Sequence, residues 1–341
     1  MILQLKDIYK PIEKDLKAVE RLIASALRKR KTSASCVNDF LLNSRGKMIR
    51  PALVILSARS AMGSPHGEAM GRGSSYSTSK LIKVASAIEL IHKASLVHDD
   101  VIDHSRLRYN MPTINSRWGD DVSITVGDYL YSLAFELVAA FANPDIIRCV
   151  SSAVKAMCEG EMMQVCERDN LSLLKRRYIV IVKKKTASLF AASCQAGGLV
   201  SDSGRSEGRA LKGYGLNLGI AFQIIDDYLD IMGDRRDTGK VPGQDIEAGE
   251  ITLPLLNLLE SVKRDKRKEM MTLSLERIRT EVLNSGAAHK TKKAARHYIL
   301  LAKGNLKSFS HSPYRESLLG LADYIIERGF NGLQGRYGCQ R

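Results

Sequence analysis

Proline is scarce in this chain, which contains eight among 341 residues. Also absent is any stretch in which apolar and polar residues alternate between turn signals, the pattern of a half-buried strand. Helix-forming residues fill most of the sequence instead. These two absences exclude the mixed composition of an average domain and predict an all-α fold.

Long uninterrupted apolar runs are missing as well, and we find none of the length that a membrane-spanning helix needs. The first ten residues carry Lys and Asp rather than the apolar core of a secretory signal. The six cysteines form no Cys-x-x-Cys pair, so we expect reduced and mostly buried thiols. Together these absences predict a cytoplasmic protein.

Aromatic residues make up 6% of the sequence, and the 37 acidic residues are outnumbered by 52 basic ones. The formal net charge of +15 suits nucleic acid, anionic lipid or an anionic substrate. Few aromatics lie among the basic clusters, which argues against a platform for nucleic-acid bases. We therefore expect an anionic small molecule or lipid as partner, and no nucleic acid.

No linker divides the chain convincingly, and its length allows one large core. Residues 1–34 have the pattern of an amphipathic N-terminal helix followed by a basic run. Residues 35–330 are expected to form a single helical domain with a flexible Gly- and Ser-rich loop at 62–79. The Gly-rich tail 331–341 is predicted to be disordered.

Three carboxylates, those of Asp99, Asp100 and Asp103, follow the long apolar run 81–97. On a helix Asp99 and Asp103 project from one face, a turn apart, while Asp100 points about 100° away from Asp99. Two stacked carboxylates suit Mg²⁺, which prefers hard oxygen ligands. A solvated helix end is the alternative explanation for one such cluster.

The same arrangement recurs at Asp226, Asp227 and Asp230, again after an apolar helical run. A second copy makes a solvated helix end a poor explanation. Two acid-tipped buried helices that face each other across a cavity would hold several Mg²⁺ ions around one diphosphate. The pair of clusters therefore predicts a metal-dependent site for a diphosphate substrate.

Cationic side chains occur at positions suited to phosphate. Lys47 and Arg50 lie three residues apart where a helix starts, with backbone N–H groups nearby, although an ordinary basic turn has the same composition. Arg108 follows the first acid cluster, where it would reach phosphate oxygens that metal ions do not. Residues 233–245 have the polar composition of a lid, which would carry Lys240.

Five segments carry a recognisable pattern: 46–51, His98–Asp103, Lys185-Thr186, Gln223–Asp230 and Gly239-Lys240. Over roughly residues 35–328 the chain resembles the trans-type polyprenyl diphosphate synthases, such as the heptaprenyl, octaprenyl and decaprenyl enzymes. The resemblance implies the isoprenoid synthase fold, in which antiparallel helices surround a deep central apolar cavity with both aspartate clusters at its mouth. It also implies a homodimer that condenses isopentenyl diphosphate head to tail with an allylic prenyl diphosphate.

The resemblance implies a role for each matching residue. The Mg²⁺ ligands would be Asp99, Asp103 and Asp226, supported by Asp100, Asp227 and Asp230. The groups that hold the allylic diphosphate would be Arg108, Lys185, Thr186, Gln223 and Lys240, and Lys185 would join the six aspartates in the catalytic set. The isopentenyl diphosphate site would comprise Lys47, Arg50 and His92. His92 lies two helical turns before Asp99 on the same face, although a core histidine is the alternative.

Product length would depend on the depth of the cavity below the first cluster. Ser95 lies almost under Asp99 on a helical wheel and Ala94 lies to one side, and neither side chain is bulky. In the family a small residue at the position of Ala94 goes with longer products, and the next bulky residues are Ile91 and Leu90. Each further helical turn admits about one isoprene unit, about 5 Å. We therefore expect a medium- or long-chain product, such as a quinone side chain, released near an anionic membrane with which the protein associates peripherally.

Three positions depart from the family's pattern. Tyr109 and Asn110 stand where an arginine and a glycine usually follow Arg108, so one cation expected to bind isopentenyl diphosphate is missing. Arg45 replaces the first glycine of the usual Gly-Gly-Lys. The alternatives are a terpene cyclase, a prenyltransferase with another acceptor, and a non-catalytic subunit of a heteromeric synthase. Two intact acid clusters favour a working ionisation site.

Overall fold

The computed structural model describes residues 4–28, 35–43, 46–62, 75–108, 111–140, 143–173, 175–234 and 242–330. Helices dominate these ranges, where the strands form one pair of two residues each, so the all-α prediction is confirmed. Several predicted features lie outside the described residues: Arg45, Tyr109, Asn110, Lys240, most of the 62–79 loop and the 331–341 tail.

The N-terminal half is a succession of helices. They are α1 (Leu5–Tyr9), α2 (Glu13–Arg28), α3 (Ser35–Asn43), α4 (Ile49–Met62), α5 (Ser75–Ile102), α6 (Ile114–Trp118), α7 (Asp120–Ala139) and α8 (Pro144–Cys166). The strands β1 (Leu107–Arg108) and β2 (Met111–Pro112) pair antiparallel between α5 and α6. The predicted loop at 62–79 is wrong for its last five residues, because the glycines end at Gly73 and the helix begins at Ser75.

The C-terminal half continues in the same way. Its elements are α9 (Lys175–Val182), a π-helical turn (Lys183–Ala187), α10 (Ser188–Val200), α11 (Arg205–Met232), α12 (Gln244–Glu247), α13 (Leu253–Leu259), a 3₁₀ turn (Arg264–Lys266), α14 (Arg267–Met271), α15 (Leu275–Asn284), α16 (Ala287–Asn305) and α17 (Pro313–Phe330). The long helices α11 and α16 pack against each other.

The predicted N-terminal helix is interrupted near its start. Pro11 lies in a 3₁₀ turn, Lys10–Ile12, between α1 and α2, since proline cannot donate the backbone hydrogen bond of a continuous helix. Helix α2 is amphipathic and buries Leu16, Val19 and Ile23 at helical spacing. These side chains belong to the same hydrophobic core as the rest of the chain, so the N-terminal segment packs onto the domain.

The core is built around α4, α5, α10 and α11. Residues 51–58 of α4 and 84–91 of α5 are buried without interruption, as expected of helices that are apolar on nearly every side. Gly197 lets α10 approach α4 closely, because a Cβ atom there would lie 2.3 Å from the carbonyl oxygen of Val54. Because α5 and α11 are anchored in this core, the acid clusters at their C-terminal ends have fixed positions.

Helix α7 contradicts the prediction that no segment reaches membrane-spanning length. Among the described residues it is the helix whose length and composition would suffice, with a mean hydropathy of 1.3 over a window that is 28% buried. Its acidic residues interrupt the apolar run without lowering the average enough to exclude it. Helix α7 packs along α5 and leaves much of its apolar surface uncovered.

The prediction of mostly buried thiols is wrong for α8. Cys194 is buried on α10 and Cys149 is half-buried, but Cys158 and Cys166 are exposed. The side of α8 that faces the core includes Val150 and Met157, and Cys158 and Cys166 lie on other sides of the helix.

Candidate active site

A cavity of about 410 Å³ receives side chains from both acid clusters. Its carboxylates are those of Glu89, Asp99, Asp100, Asp103, Glu167, Asp226, Asp227, Asp245 and Glu250. Its cations include those of Lys47, Arg50, Lys93, Arg108, Lys185 and Arg328. Apolar side chains complete the wall, among them Met157, Ile181, Val182, Leu189 and Phe222. The fold therefore brings the two clusters to one apolar-walled space, as the spacing of the motifs predicts.

The first cluster lies where α5 ends. Asp103 follows the helix, and its backbone N–H donates to the Asp99 carbonyl at 2.8 Å, which keeps the two residues one turn apart. Arg108 on β1 donates to the same oxygen of Asp100 from Nε and Nη2, at 2.9 Å and 2.8 Å. Arg108 thus neutralises Asp100, and a phosphate would have to share this arginine with the carboxylate.

The other two acids of this cluster differ in their surroundings. Arg168, in the turn after α8, places Nη2 2.8 Å from Oδ1 of Asp103 and 3.9 Å from Glu250. Burial raises the pKa of Asp99 to about 7, although Lys185 acts in the opposite direction. An added cation beside Asp99 would therefore stabilise its ionised form.

Lys185 and Thr186 lie in the π-helical turn between α9 and α10. Such turns are rare and are frequent at functional sites. Gly160 on α8 makes room for this one, since a Cβ atom there would lie 2.3 Å from the backbone nitrogen of Lys185. Burial opposes the charge on Lys185, but carboxylates, including those of Asp99 and Glu161, raise its pKa above the ordinary value. Lys185 is therefore a permanent cation, 2.6 Å from Glu161.

A chain of hydrogen bonds joins the predicted diphosphate ligands to the second cluster. The hydroxyl of Thr186 donates to Oε1 of Gln223 at 2.7 Å, and Nε2 of Gln223 donates to Oδ1 of Asp227 at 2.7 Å. The hydroxyl of Tyr178 donates to Oδ2 of Asp227 at 2.5 Å. Burial raises the pKa of Asp227 to about 7, against these two hydrogen bonds, which lower it. These hydrogen bonds fix the orientation of the Thr186 and Gln223 side chains.

Asp226 and Asp230 face different partners. Oδ1 of Asp226 lies 3.4 Å from Nη2 of Arg328, a residue of α17 that lines the cavity. Asp230 accepts backbone hydrogen bonds from Gly243, at its carbonyl, and from Asp245, at Oδ2, at 2.8 Å and 3.2 Å. Asp230 therefore ties the start of α12 to the end of α11. This structural role agrees with the expectation that Asp230 supports the metal ligands.

The residues predicted to bind isopentenyl diphosphate line the cavity together. Lys47 and Arg50 lie at the start of α4, and His92 lies on α5. Burial, with a smaller contribution from Arg50, lowers the pKa of His92 well below its ordinary value, so the imidazole is neutral at neutral pH. Glu89, which is 3% exposed, has a pKa raised by burial, although Lys93 and Arg50 act in the opposite direction.

The two residues predicted to control product length are placed differently. Ser95 lines the cavity one turn before Asp99, and its hydroxyl donates to the carbonyl of His92. Ala94 is fully buried in the core beside it, as are Ile91 and Leu90. Ser95 is the residue of the predicted pair whose side chain meets the space where a product would grow.

The donor set matches Mg²⁺, which prefers carboxylate oxygens supplemented by water and phosphate. In the described part of the chain, no three His, Cys, Asp or Glu side chains lie close enough to hold a metal ion by themselves. Arg168 and Arg328 pair with acids of the two clusters instead. Asp99, Asp103 and Asp226 would therefore hold Mg²⁺ only with further oxygen ligands from water or phosphate, and their binding of the ion stays a prediction.

Several side chains of the site escaped the sequence reasoning, among them those of Glu161, Arg168, Tyr178, Glu250 and Arg328. Glu161 offered little signal, because α8 carries other charged residues outside its buried stripe, Lys155 and Glu159 among them. The arginines offered none, because each is one of many basic residues in a basic chain.

Comparison with known proteins decides the family. The polyprenyl synthetase family model matches residues 33–284, a range that includes both acid clusters. The chain belongs to the polyprenyl synthetase family. Members of this family elongate prenyl chains, so the protein is an enzyme, a prenyltransferase.

Three relatives show how far the similarity extends within the polyprenyl synthetase family. A short chain isoprenyl diphosphate synthase of Methanothermobacter thermautotrophicus is 34% identical, covering 85% of this chain and 89% of that protein. Component 2 of the Bacillus subtilis heptaprenyl diphosphate synthase is 31% identical over 96% and 92%. The crystal structure of a Caulobacter crescentus polyprenyl synthase with calcium and isoprenyl diphosphate is 31% identical, with a TM-score of 0.86 over 96% of this chain and 99% of that one. The isoprenoid synthase fold is thereby confirmed.

Proposed function

We propose that the protein is an all-trans polyprenyl diphosphate synthase that uses Mg²⁺ to condense isopentenyl diphosphate with an allylic diphosphate. The observation that carries the proposal is the cavity, which joins acids from two helices, a half-buried lysine and an apolar wall. This combination fits a substrate with a diphosphate head and a hydrocarbon tail. The calcium and isoprenyl diphosphate named for the Caulobacter relative support the same pairing of ligands.

The residues divide into two groups around the reaction. Lys185, Thr186 and Gln223 would hold the allylic diphosphate, and the ions would be bound by Asp99, Asp103 and Asp226. Bound Mg²⁺ supplies positive charge that favours departure of the diphosphate. Lys185 would add a positive charge beside the diphosphate. Because its pKa is raised, this lysine is already charged before the allylic C–O bond breaks.

Lys47, Arg50 and the neutral His92 would hold isopentenyl diphosphate beside the allylic carbon. Breakage of the allylic C–O bond would leave an allylic cation, whose carbon the double bond of isopentenyl diphosphate attacks to form the new C–C bond. A proton would then leave to the released diphosphate. Because its pKa is lowered, His92 would be a neutral imidazole, and its one N–H group would donate a hydrogen bond to a phosphate oxygen. Apolar side chains such as Leu189 and Phe222 would keep water from the cation.

A medium- or long-chain product fits the cavity wall. Ser95 is small where the wall meets the first cluster, so a growing chain meets no aromatic ring there. The names of the relatives range from short chain to heptaprenyl and octaprenyl, so family membership alone leaves the length open. Product sizing is therefore part of the test.

We also propose a homodimer in which α7 is covered by a second copy. Helix α7 is apolar, most of its large apolar side chains are only partly buried, and Ile124 on it is 47% exposed. The Bacillus relative is named as one component of its enzyme, so a different partner chain is the alternative. Light scattering on the purified protein tests this: a dimeric mass that Ile124→Lys reduces supports self-association, and a monomer refutes it.

The experiment for the activity is an incubation of the pure protein and Mg²⁺ with farnesyl diphosphate and radiolabelled isopentenyl diphosphate. We expect a ladder of prenyl alcohols, after dephosphorylation, that ends at one long product. Diphosphate release from the allylic substrate without incorporation would indicate a cyclase or another acceptor. No reaction of either kind would refute catalysis by this chain alone.

A further inference from the structure

One face of α16 combines exposed cations with exposed leucines. Its exposed side chains are those of His289, Lys290, Lys293, Arg296, His297, Leu300 and Leu301. At 100° per residue these positions fall within about 140° of the helical wheel, so they form one continuous face. No acid interrupts it, because α16 contains neither Asp nor Glu. We call these seven residues the α16 face.

The leucines are the unusual part of the α16 face. Leu300 is 69% exposed and Leu301 is 42% exposed, whereas more than half of the leucines that the structure describes are buried in the core. They are adjacent in sequence and lie beside the basic side chains of this face, at i+4 from Arg296 and His297. A basic helical face with projecting leucines is typical of helices that lie in the surface of a membrane.

The opposite side of α16 is firmly anchored. Ala295 and Ile299 are buried, and Thr291 accepts a hydrogen bond from Asn257 at 2.9 Å. The ammonium group of Lys292 lies 5.2 Å from the ring centroid of Tyr228, which is part of the second acid motif. Helix α16 is therefore held against α11, which carries the second acid cluster, and the α16 face is the rigid surface that points away from α11.

We propose that the α16 face docks the protein on an anionic lipid membrane, with the cations on the headgroups and the two leucines among the acyl chains. The charge of the face is complementary to anionic headgroups, and leucine side chains have no complement in a nucleic acid. The proposed function gives this surface a purpose, since a long prenyl product is insoluble in water, but lipid binding itself requires no catalysis.

The test is flotation of the full-length protein with vesicles, in the absence of substrate. Vesicles of phosphatidylcholine with phosphatidylglycerol should bind the protein, and vesicles of phosphatidylcholine alone should not. Removing the cations in Lys290→Gln/Lys293→Gln/Arg296→Gln should weaken binding roughly a hundredfold, because each cation near an anionic surface contributes on the order of fivefold. Higher salt should weaken binding of the wild-type protein as well.

A matched control removes as many charges elsewhere. Lys14→Gln/Lys17→Gln/Arg21→Gln alters exposed positions of α2, where Glu13 and Glu20 lie among the cations, and should bind like the wild type.

Leu300→Ser/Leu301→Ser tests insertion separately, and its exposed positions leave the core intact. We expect it to bind more weakly than the wild type to the same anionic vesicles, with an unchanged circular dichroism spectrum.

Binding that survives both α16 variants, or that persists on neutral vesicles, would refute the proposal. Loss through the charge variant alone, with the serine variant unaffected, would refute insertion of the leucines and with it the docking mode. Binding of single-stranded RNA in place of vesicles would assign the face to nucleic acid instead. Because prenyl elongation is measured in detergent without vesicles, a failure of the proposed activity is distinguishable from a failure here.

Discussion

Nη2 of Arg168 lies 2.8 Å from Oδ1 of Asp103, across 65 residues of sequence. The pair joins the turn after α8 to the first acid cluster, and both side chains are about a quarter exposed, at 26% each. A guanidinium and a metal ion would compete for the same carboxylate oxygen. Arg168 is thus the side chain that Mg²⁺ would have to displace from Asp103.

This competition predicts an effect of metal on stability. Without metal, Arg168→Gln should lower the free energy of unfolding by about 1–3 kcal/mol, because Asp103 loses a charged hydrogen bond. With Mg²⁺, the variant should gain more stability than the wild type, since no guanidinium has to be displaced. Urea denaturation in EDTA and in Mg²⁺ measures both effects. Arg176→Gln, at an exposed position of α9, is the control, and equal gains in all three proteins would contradict the prediction.

The buried carboxylate of Asp227 predicts a second effect. Tyr178→Phe removes one of its donors, so the pKa of Asp227 should rise further and the protein should lose about 1–3 kcal/mol of stability. Denaturation at neutral pH measures this loss, and Tyr129→Phe, which alters a half-buried tyrosine of α7, provides a matched control. A variant as stable as the wild type would mean that the hydroxyl does not stabilise the acid.

Glu89 predicts a dependence of stability on pH. Burial raises its native pKa above the ordinary value of 4.5, so the native state holds a proton that the unfolded state has released. The contribution of the neutral carboxyl is complete below pH 4.5 and is lost as pH rises through the native pKa. Glu89→Gln stays neutral, so it should become more stable relative to the wild type as pH rises, by about 1.4 kcal/mol per unit of pKa shift. Urea midpoints of both proteins from acid to neutral pH test this, and a difference independent of pH would exclude it.

The position of Ser95 predicts control of product length. Ser95→Phe should place a ring in the cavity wall below Asp99 and shorten the product of the elongation assay. Ala94→Phe should also shorten it, but Ala94 is fully buried, so overpacking should cost this variant about 1–3 kcal/mol of stability. Chromatography of the dephosphorylated products measures the change. Identical product distributions in the wild type and in both variants would show that these positions do not determine product length.

The close approach of Gly160 on α8 to the backbone of Lys185 holds the π-helical turn in place, so we expect a side chain at position 160 to displace Lys185. In Gly160→Ala a methyl group would meet the backbone nitrogen of Lys185 at 2.3 Å, so the π-helical turn must shift. A shift of about 1 Å in a substrate-binding group can reduce the rate roughly a hundredfold. Gly304→Ala on α16 is the control, because its methyl group would meet nothing within 4 Å. Steady-state rates of both variants decide, and equal activity would show that the turn tolerates the displacement.

The sequence was sufficient for the parts of the site that are local in the chain. Asp99 and Asp103 are one helical turn apart, and Thr186 follows Lys185 directly, so periodicity and motif order predict their grouping. The all-α class follows from the same local patterns. The 3₁₀ turn at Pro11 was also predictable in principle, because proline has a strong local effect.

Partners recruited over long distances were not predictable in this way. Tyr178 reaches Asp227 across 49 residues and Arg328 reaches Asp226 across 102. Nothing in the local sequence distinguishes Arg328 from other arginines, because its role depends on how α17 packs. The exposed apolar surface of α7 was missed for a related reason, since its composition alone does not reveal which side is covered.

The π-helical turn at Lys183–Ala187 makes the site sensitive to chain length as well as to side-chain identity. A π turn holds one residue more than the α-helical turn it replaces. The turn thereby absorbs one residue and keeps α9 in phase with α10. Inserting a further residue in regular helical geometry would rotate α9 by about 100° relative to α10. Tyr178 on α9 would then point away from Asp227, although no contacting side chain had been altered. Insertions in this stretch should therefore be tolerated far less than substitutions at its exposed positions.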